Sequence, residues 1–436
     1  MLLKSDISRI LDLLRAEVKT SVGGTEPMAI ALAVAKATEL LGCTPEKVVA
    51  KLSPKIIKNS IGVNVNGMEG AVGIPYAMAL GALYGQPKAD LDVLNHVTAD
   101  MLPAAKEFIA AGRCVVKSAH TFELIYVEVE VSGGGHEAKV IIAKEHTHYI
   151  LLKVDDNVEL DERWTLAKEY NRDHETDLNM RLIYDFAMEV PLEQIKFLLE
   201  GARLNKAVAQ MAFEGNYGLG LGKMLKGSNE VRMMGQNTMP KMVGFACAAC
   251  DVRMSGSRVS VLCNSGSGNR GIIATLPMLV FAEENCVTES KLLRGLALSN
   301  LTVIYIKQML GLMSSHCSCV IAAAGSACAL AYMMGGDFEA VCAAVKNEIA
   351  ALTGIVCDGA KPSCTLRMSS AVAGSFQAAL MAIEGICVPS TDGIIEDSVD
   401  RSLDNLANIG RDAMLENDSM ILRIITEKEE TEECSE

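Results

Sequence analysis

Apolar residues recur every three or four positions along much of the chain, which is the spacing of an amphipathic helix. Residues 5–20 show this spacing first. A second, Ala-rich helix is predicted from Thr25 onward, because Pro27 suits a first helical turn and Thr25 or Glu26 can cap it. Helices are also predicted at residues 71–84, 90–111, 291–314, 318–334, 337–353, 366–386 and 397–416.

Strand patterns occur in two stretches of the chain. Residues 47–66 have β character, and residues 113–155 contain a strict alternation of apolar and polar positions with a glycine turn at 133–135. The sequence therefore predicts an α+β fold, in which a mainly helical core carries a small inserted antiparallel sheet. The N-terminal part of this core spans residues 1–112, the inserted β region 113–155 and the remaining helical part 156–436.

Composition and charge narrow the class of protein. The chain has 436 residues, of which 50% are hydrophobic but only 4% aromatic, so small aliphatic side chains and methionine must fill the interior. A net charge of −14 without a basic patch excludes a nucleic-acid-binding surface and opposes binding to an anionic membrane. The most apolar run, residues 317–334, is dominated by Ala and Cys and predicts a buried helix rather than a membrane span.

The 14 cysteines are the unusual feature of the composition. Since the chain opens on a charged amphipathic stretch without a signal peptide, we expect a cytoplasmic protein with reduced thiols. Cys357 and Cys364 flank a loop with Gly and Pro that can turn both sulfurs toward one centre, and Cys317 lies forty positions upstream. Three thiolates can bind three irons of a [4Fe–4S] cluster and leave the fourth iron open as a Lewis acid. Burial as small hydrophobic side chains is the alternative for these cysteines.

A Gly- and Ser-rich loop, residues 263–271, precedes a second apolar run. Backbone N–H groups at such a loop suit the carboxylate or phosphate of a small anionic substrate, and a plain connecting loop is the alternative. The loop lacks the residues of a nucleotide-binding P-loop. The segment Lys55–Asn59 either is a solvated face or supplies a cation to a carboxylate.

Other cysteines and histidines carry weaker signals. Cys247 and Cys250 form a C-x-x-C pair that suits redox chemistry or half of a zinc site, although small flanking residues favour packing. His146 and His148 alternate along the chain, so they would share one strand face as metal ligands or as exposed residues. Cys434 lies on an acidic C-terminal tail and is expected to be an exposed free thiol.

Several of these segments together resemble the L-cysteine desulfidase family, which is distantly related to the alpha chain of iron–sulfur L-serine dehydratases. The order and spacing of the matching segments agree over nearly the whole chain. These segments are Thr25-Glu26-Pro27, Ser53-Pro54 with Lys58-Asn59, Asp251 with Arg253-Met254, Asn264 to Gly271, and Cys357 to Cys364.

The resemblance implies an oxygen-sensitive lyase that converts L-cysteine to pyruvate, ammonia and sulfide with a [4Fe–4S] cluster and without pyridoxal phosphate. The helical core would then be catalytic, and residues 156–436 would be its cluster-binding part. Carried over by position, the cluster ligands would be Cys317, Cys357 and Cys364. The residues that would line the substrate pocket are Thr25, Asn59, Asn264, Ser265, Ser267, Asn269 and Arg270.

Two positions depart from the family's pattern. Family members usually have Gly-Cys before Thr-Glu-Pro, whereas this chain has Gly23-Gly24. Without a thiol at position 24, Glu26 and Lys58 become the candidates for the catalytic base. The family's usual Gln in the Gly-rich loop is Arg270 here, which suits a larger or more acidic substrate or is a benign surface change.

Three functions therefore stay open from the sequence. The chain is a desulfidase-like lyase, or a lyase or dehydratase of the same family that acts on L-serine or another small amino or hydroxy acid. Alternatively, it is a non-catalytic binding or sensor protein that lost activity with the cysteine at position 24. We expect a small amino acid as its ligand and a homodimer as its assembly, because its helical surface is rich in Met and Ala.

Overall fold

The structure of the chain, a computed structural model, describes residues 2–22, 24–65, 68, 70–168, 176–227, 237–311 and 316–433. The helices are α1 Lys4–Glu17, α2 Thr25–Leu41, α3 Pro54–Ser60, α4 Ile74–Tyr84, α5 Leu102–Ala110, α6 Met180–Glu189, α7 Leu192–Glu214, α8 Leu221–Gly227, α9 Thr238–Met254, α10 Gly268–Ile273, α11 Leu276–Glu284, α12 Glu289–Leu310, α13 Ser318–Met334, α14 Phe338–Leu352, α15 Cys364–Ile383, α16 Val399–Asn408 and α17 Leu415–Glu433. The strands are β1 Val18–Val22, β2 Lys47–Leu52, β3 Cys114–Ser118, β4 Tyr126–Gly133, β5 His136–Ala143, β6 Tyr149–Val154, β7 Asn157–Asp161 and β8 Ser260–Asn264.

The predicted α+β fold is confirmed, with helices as the main component beside two small sheets. The larger sheet has the strand order β3-β2-β4-β5-β6-β7. Its pairs are antiparallel except for β2 and β3, which run parallel. The second sheet pairs β1 with β8 antiparallel, so it joins the end of α1 to the strand that leads into the Gly-rich loop.

The larger sheet takes in residues from outside the 113–155 region. Strand β2, from residues 47–52, lies between β3 and β4 and pairs with both. Within the predicted β stretch 47–66, residues 54–60 instead form α3, where Pro54 occupies the first turn. The apolar run Ile61–Val65 forms no strand, and Asn64 makes only an isolated bridge to Val72.

One face of the larger sheet packs on α2 and α4. These two helices also pack closely on each other. Alternate residues Val127, Val129 and Val131 of β4 are buried in a core shared with both helices. Gly81 of α4 lies directly on α2, since a Cβ at this position would stand 2.6 Å from the carbonyl oxygen of Ala31. The N-terminal core is thus built from small residues, as the shortage of aromatic side chains requires.

The second core is helical, and α13 lies at its centre between α12, α14 and α15. The apolar run 317–334 forms this helix, and nearly all its side chains are buried, as predicted. Gly325 lets α13 approach α12, because a Cβ there would lie 2.6 Å from the carbonyl oxygen of Ser299. In the described part of the chain, no helix combines the length and the apolar character needed to cross a membrane.

The C-terminal end folds back onto the N-terminal core. A π-helical turn at Ile409–Ala413 separates α16 from α17. Helix α17 then packs on α3, and Leu422 joins the core of α2 and α4. This return brings α17 next to the loop between α14 and α15.

The contact between α12 and α13 leads to a test of the packing. The substitution Gly325→Ala adds a methyl group where the backbone of α12 leaves no room. We expect the free energy of unfolding to fall by about 1–3 kcal/mol, because overpacking outweighs the better helix propensity of Ala. Urea denaturation followed by circular dichroism measures this change.

The matched control is Gly354→Ala, since a Cβ at Gly354 meets no heavy atom of the described residues within 4 Å. Its stability should stay within about 0.5 kcal/mol of the wild type. Equal stability of Gly325→Ala and the wild type would contradict the close contact of α12 and α13.

Candidate active site

Glu26 lies in the first turn of α2 and connects this helix to α3. Asn59 Nδ2 donates a hydrogen bond to Glu26 Oε1 at 3.0 Å, and Thr25 Oγ1 donates to Glu26 Oε2 at 3.1 Å. Gly24 precedes the helix with a left-handed φ of 78°. Two of the predicted substrate-binding residues therefore contact one of the two predicted bases.

Lys55 and His146 act electrostatically on the Glu26 carboxylate, and both lower its pKa. Burial raises the pKa of Glu26, but His146, Lys55 and the hydrogen bonds outweigh it, so the pKa lies below its ordinary value. Glu26 is therefore ionised at neutral pH. Burial in turn lowers the pKa of Lys55, although the charge of Glu26 opposes this effect.

His146 comes from the loop between β5 and β6, so the larger sheet contributes to the site. Burial lowers the pKa of His146, and Nε2 has no hydrogen-bond partner among the residues described. His148 instead lies 3.5 Å from Glu162. The alternation along the chain indicated a shared face for the two histidines, but it gave no sign that His146 would approach Glu26.

Lys58, the second predicted base, is buried and engaged on both sides. Its Nζ forms an ion pair with Asp418 of α17 and donates to the carbonyl oxygen of Cys357 at 3.2 Å. Gly359 passes directly over the backbone of Lys58, where a Cβ would overlap the Lys58 carbonyl oxygen. Lys58 therefore holds the cysteine loop, the loop between α14 and α15 that carries Cys357, against α3 and α17.

The Gly-rich loop turns sharply between β8 and α10. Ser265 adopts a positive φ of 45°, and the Ser267 hydroxyl accepts a hydrogen bond from the backbone N–H of Arg270 at 3.4 Å.

Asn264 is fully buried and donates to Asn300 of α12. Asn269 accepts a hydrogen bond from Arg253 of α9 at 3.1 Å. The loop is thus fixed from three sides, and Asn264, Ser267 and Asn269 have structural partners of their own.

Arg270 points inward from this loop, so it is not a surface change. Only 7% of the residue is exposed, and Nη2 donates to the Ser265 carbonyl oxygen at 2.6 Å. Nε and Nη1 are buried without a hydrogen-bond partner in the described ranges. Burial lowers the pKa of Arg270 to about 10, although Glu17 opposes this effect.

Lys307, near the end of α12, lies within electrostatic reach of Arg270 and Lys55, and the sequence analysis did not predict it as a site residue. Burial lowers its pKa to about 7, and the nearby charges of Arg270 and Lys55 lower it as well. Its Nζ donates to the carbonyl oxygen of Gly311. No motif marked Lys307, and only its position directly after the apolar run 303–306 could have singled it out.

The three predicted cluster ligands come from helix ends and the loop between them. Cys317 immediately precedes α13, Cys364 begins α15, and Cys357 lies in the loop that joins α14 to α15. The backbone N–H of Cys317 bonds to the Ile355 carbonyl oxygen at 3.1 Å, which ties the first segment to the loop. Cys317 and Cys364 are buried, and Cys357 is half-buried.

The three thiols are close enough to influence one another electrostatically. Burial raises the pKa of Cys357 and of Cys364, and the charge of Cys317 contributes to both increases. A hydrogen bond from Cys319 lowers the pKa of Cys317, although burial opposes it. Cations also reach these sulfurs: Lys58 acts on Cys357, and Arg253 and Arg367 act on Cys364.

The donor chemistry of the three thiols fits an iron–sulfur cluster, because thiolates are the usual ligands and the surrounding cations favour thiolate charge. Within the described ranges, however, no three His, Cys, Asp or Glu side chains are arranged as a metal-holding group. The residues therefore supply suitable donors without forming a preassembled cage.

Cys247 and Cys250 are fully buried in α9 beside these thiols. Cys247 Sγ contacts the carbonyl oxygen of Thr365 at 3.5 Å, and Cys250 Sγ lies 3.9 Å from Asn269 Oδ1. Burial raises the pKa of Cys247 to about 12 and raises that of Cys250 well above its ordinary value. Both therefore act as packing thiols between α9, α15 and the Gly-rich loop. Cys434 lies outside the described residues.

Glu348 is buried in the helix pair that presents the cysteine loop. It is 1% exposed, and neither carboxyl oxygen has a hydrogen-bond partner among the described residues. The carboxyl group faces Gly374 of α15, where a Cβ would stand 3.2 Å from Oε1. Burial alone raises the pKa of Glu348 to about 8.

Comparison with known proteins adds information on the family. A family profile described as the serine dehydratase alpha chain matches residues 88–423. A UPF0597 protein of Bacteroides thetaiotaomicron is 47% identical over 428 residues, which cover 98% of this chain and 99% of the relative. A UPF0597 protein of Bacteroides fragilis is 45% identical over 426 residues, with 98% and 99% covered. One from Oleidesulfovibrio alaskensis is 37% identical over 427 residues, with 98% and 100% covered.

Glu348 makes the stability of the α14–α15 pair depend on pH. Its carboxyl has a folded-state pKa of about 8 against an ordinary 4.5, so the folded state binds the extra proton between these values. The contribution of Glu348 to wild-type stability should therefore fall as pH rises from about 5 to about 8. Glu348→Gln removes this titration and should be more stable than the wild type at pH 8 by about 1–3 kcal/mol.

Urea denaturation at pH 5 and pH 8 measures both proteins. The difference between them should grow with pH, because other titrating groups are common to both chains. A difference that stays constant across this range would show that the Glu348 carboxyl does not titrate there.

Proposed function

The chain belongs to the serine dehydratase alpha chain family, and we propose that it is an iron–sulfur lyase that releases ammonia from a small amino acid by β-elimination. The first candidate substrate is L-cysteine, which would give pyruvate, ammonia and sulfide. The alternative is a lyase or dehydratase of the same family that acts on L-serine or on another small amino or hydroxy acid. A hydroxy acid would lose water and release no ammonia.

The observation that carries this proposal is the convergence of Cys317, Cys357 and Cys364. Their segments are far apart in the chain, yet the three thiols influence one another, and Lys58, Arg253 and Arg367 lie within electrostatic reach. A [4Fe–4S] cluster held by these three cysteines would supply a Lewis acid for the substrate carboxylate or the leaving group. The three reduced thiols would bind its three remaining irons.

Glu26 is the better candidate for the base that removes the α-proton. Its carboxylate is ionised at neutral pH, and Asn59 and Thr25 hold both of its oxygens in place. The Nζ of Lys58 is instead occupied by Asp418 and by the Cys357 carbonyl oxygen. We therefore assign proton abstraction to Glu26 and a positioning role to Lys58.

The proposed reaction balances without a further co-reactant except water. Glu26 takes the proton from Cα, the electron pair forms the Cα–Cβ double bond, and the Cβ–S bond breaks with its electron pair leaving as hydrosulfide. The resulting 2-aminoacrylate adds water and loses ammonia to give pyruvate. With L-serine, the Cβ–O bond breaks and water leaves in place of hydrogen sulfide.

The cysteine assignment predicts a loss of iron in single variants. Anaerobic reconstitution of the wild type should give about four irons per chain with broad visible absorption. Each of Cys317→Ala, Cys357→Ala and Cys364→Ala should bind substantially less iron, because one iron of the cluster loses its thiolate. Iron and sulfide content measured after desalting tests this.

Cys342→Ala is the matched control. Cys342 is about as buried as Cys364, with 8% and 7% exposed, but it lies in α14 and is not one of the three proposed ligands. Its iron content should equal that of the wild type. Full iron content in both Cys357→Ala and Cys364→Ala would refute the assignment of the ligands.

Substitutions at Gly24 distinguish the lyase hypothesis from the hypothesis of a non-catalytic binding or sensor protein. Among the described residues, a Cβ at this position meets no heavy atom within 4 Å, so the cost of Gly24→Cys comes from the left-handed φ, at about 1–2 kcal/mol. Because Glu26 can serve as the base, we expect the wild type to release ammonia and keto acid already. Gly24→Cys should not be required for this activity.

Gly24→Ala is the control, because it carries the same backbone cost without the thiol. Ammonia, sulfide and keto acid are measured for the wild type and both variants with L-cysteine and L-serine after anaerobic reconstitution. If only Gly24→Cys is active, the natural chain is a binding or sensor protein, and the lyase proposal fails.

A further inference from the structure

The outer side of α15 carries an unusual concentration of exposed apolar side chains. Of the seventeen large apolar residues that are exposed among those described, five lie on α15 or in the turn that follows it. They are Leu366, Leu380, Met381, Ile383 and Ile386. Exposed apolar residues that occur singly need no explanation, but a group of them on one element marks a surface that another molecule covers.

Two of these residues belong to a stripe that runs along the helix, which we call the α15 face. At 3.6 residues per turn, its positions lie within about 40° of one line on the helix surface. The α15 face consists of Leu366, Ser370, Ala373, Gln377, Leu380 and Glu384. Ala373 is half-buried and the others are exposed, whereas Met368, Ser375 and Ala379 on the opposite side of the helix are fully buried. The α15 face is thus the side of the helix that the fold leaves open.

The α15 face is complementary to itself. Leu366 and Leu380 each stand seven positions from Ala373, and Ser370 and Gln377 lie between them. When a second copy of α15 packs in the antiparallel direction with Ala373 at the centre, Leu366 of one copy meets Leu380 of the other. Ser370 then lies near Gln377, and the short side chains of Ser370 and Ala373 let the two backbones approach. A contact that is the same on both copies is what a two-fold symmetric dimer requires.

The charges at the two ends of α15 favour the same arrangement. Lys361 lies just before the helix, and Glu384 directly follows it. Glu384 is exposed and forms no ion pair with a described residue. Lys361 bonds to Asp358 at 2.9 Å, yet 28% of its side chain stays exposed. Antiparallel packing brings Glu384 of one copy toward Lys361 of the other, whereas parallel packing would bring like charges together.

A second exposed apolar group continues the surface at the start of α15. Leu219 and Met224 are 55% and 46% exposed, and α8, which contains Met224, contacts α15. Asp251 joins the two elements, because it accepts hydrogen bonds from the backbone N–H of Leu219 and from the side chain of Thr365. A stable interface covers about 800 Å² on each partner, which is more than a stripe on one helix of about 30 Å offers. The extension onto α8 therefore suits an interface with a whole protein.

We propose that the α15 face, extended by Leu219 and Met224, is the interface of a two-fold symmetric homodimer in which α15 packs antiparallel on its copy in the partner subunit. This inference goes beyond the proposed function and does not depend on it. A second copy of the chain is the occupant, because the apolar ends, the short central residues and the terminal charges of the stripe each find their complement in the same stripe reversed.

Sedimentation velocity of the full chain measures this assembly. We expect the wild type at about 10 µM to sediment as a dimer, with twice the chain mass of 46.6 kDa. Leu366→Glu and Leu380→Glu each place a carboxylate in an apolar contact, and two-fold symmetry repeats the change. Each should therefore raise the dissociation constant at least about hundredfold. Circular dichroism should show unchanged helix content, because both side chains are exposed in the monomer.

Ile424→Glu is the matched control. Ile424 lies on α17 and is 45% exposed, close to the 43% of Leu380, and the substitution adds the same charge to a helix outside the proposed interface. It should dimerise as the wild type does.

Disulfide formation tests the register of the two helices. Ala373→Cys should form an intermolecular disulfide under mild oxidation, because the two copies of position 373 face each other. Ser370→Cys is the control, since its two copies would lie about 9 Å apart along the helix axis, which is too far for a disulfide. Peptide mass spectrometry identifies the linked residues and distinguishes them from the native cysteines.

Three results would overturn the proposal. A wild type that stays monomeric at about 10 µM would leave the α15 face to a different protein. A dimer that both Leu366→Glu and Leu380→Glu leave intact would place the contact between subunits elsewhere. A disulfide in Ser370→Cys but not in Ala373→Cys would reject the antiparallel packing about Ala373.

Discussion

The close approach of α13 to α12 is the contact on which the helical core depends. Gly325 brings the backbone of α13 against Ser299, and α14 and α15 then pack around α13. With 4% aromatic residues, the chain cannot fill gaps between widely spaced helices, so small residues must bring the backbones together. The position of α13 also fixes Cys317, which directly precedes it. Packing far from the site therefore determines where one of its thiols lies.

The candidate site is built from helix ends rather than from helix faces. Glu26 lies in the first turn of α2, Cys317 precedes α13 and Cys364 begins α15, so each helix supplies a chemical group at its N-terminal end. Lys58 joins two of these regions, because it pairs with Asp418 and bonds to the Cys357 carbonyl oxygen. Rigid cores on both sides thus hold short segments whose side chains carry the charge and the sulfur.

Local pattern predicted the elements better than their partners. The burial of 317–334 followed from its composition, and strand β2 followed from its β character. That β2 would lie between β3 and β4 could not be inferred, because pairing depends on residues some eighty positions apart. Ile61–Val65 has the alternating apolar positions of a strand, but it follows α3 and makes only the bridge from Asn64 to Val72. His146 and Lys307 were missed as members of the site for the same reason, since each reaches it through tertiary contacts that leave no mark in its neighbouring sequence.

The proposed chemistry places two electrostatic requirements on the buried site. Thiols that bind metal must lose protons, and cations near them make this easier, whereas a substrate carboxylate needs cations that are not already neutralised. The cations of the site differ in whether they form ion pairs. Lys58 and Arg367 have aspartate partners and lie beside the thiols, while Arg270 has buried guanidinium nitrogens without a hydrogen-bond partner among the described residues. A cation that is buried without an anion raises the energy of the free protein, and a ligand that supplies the anion recovers that energy on binding.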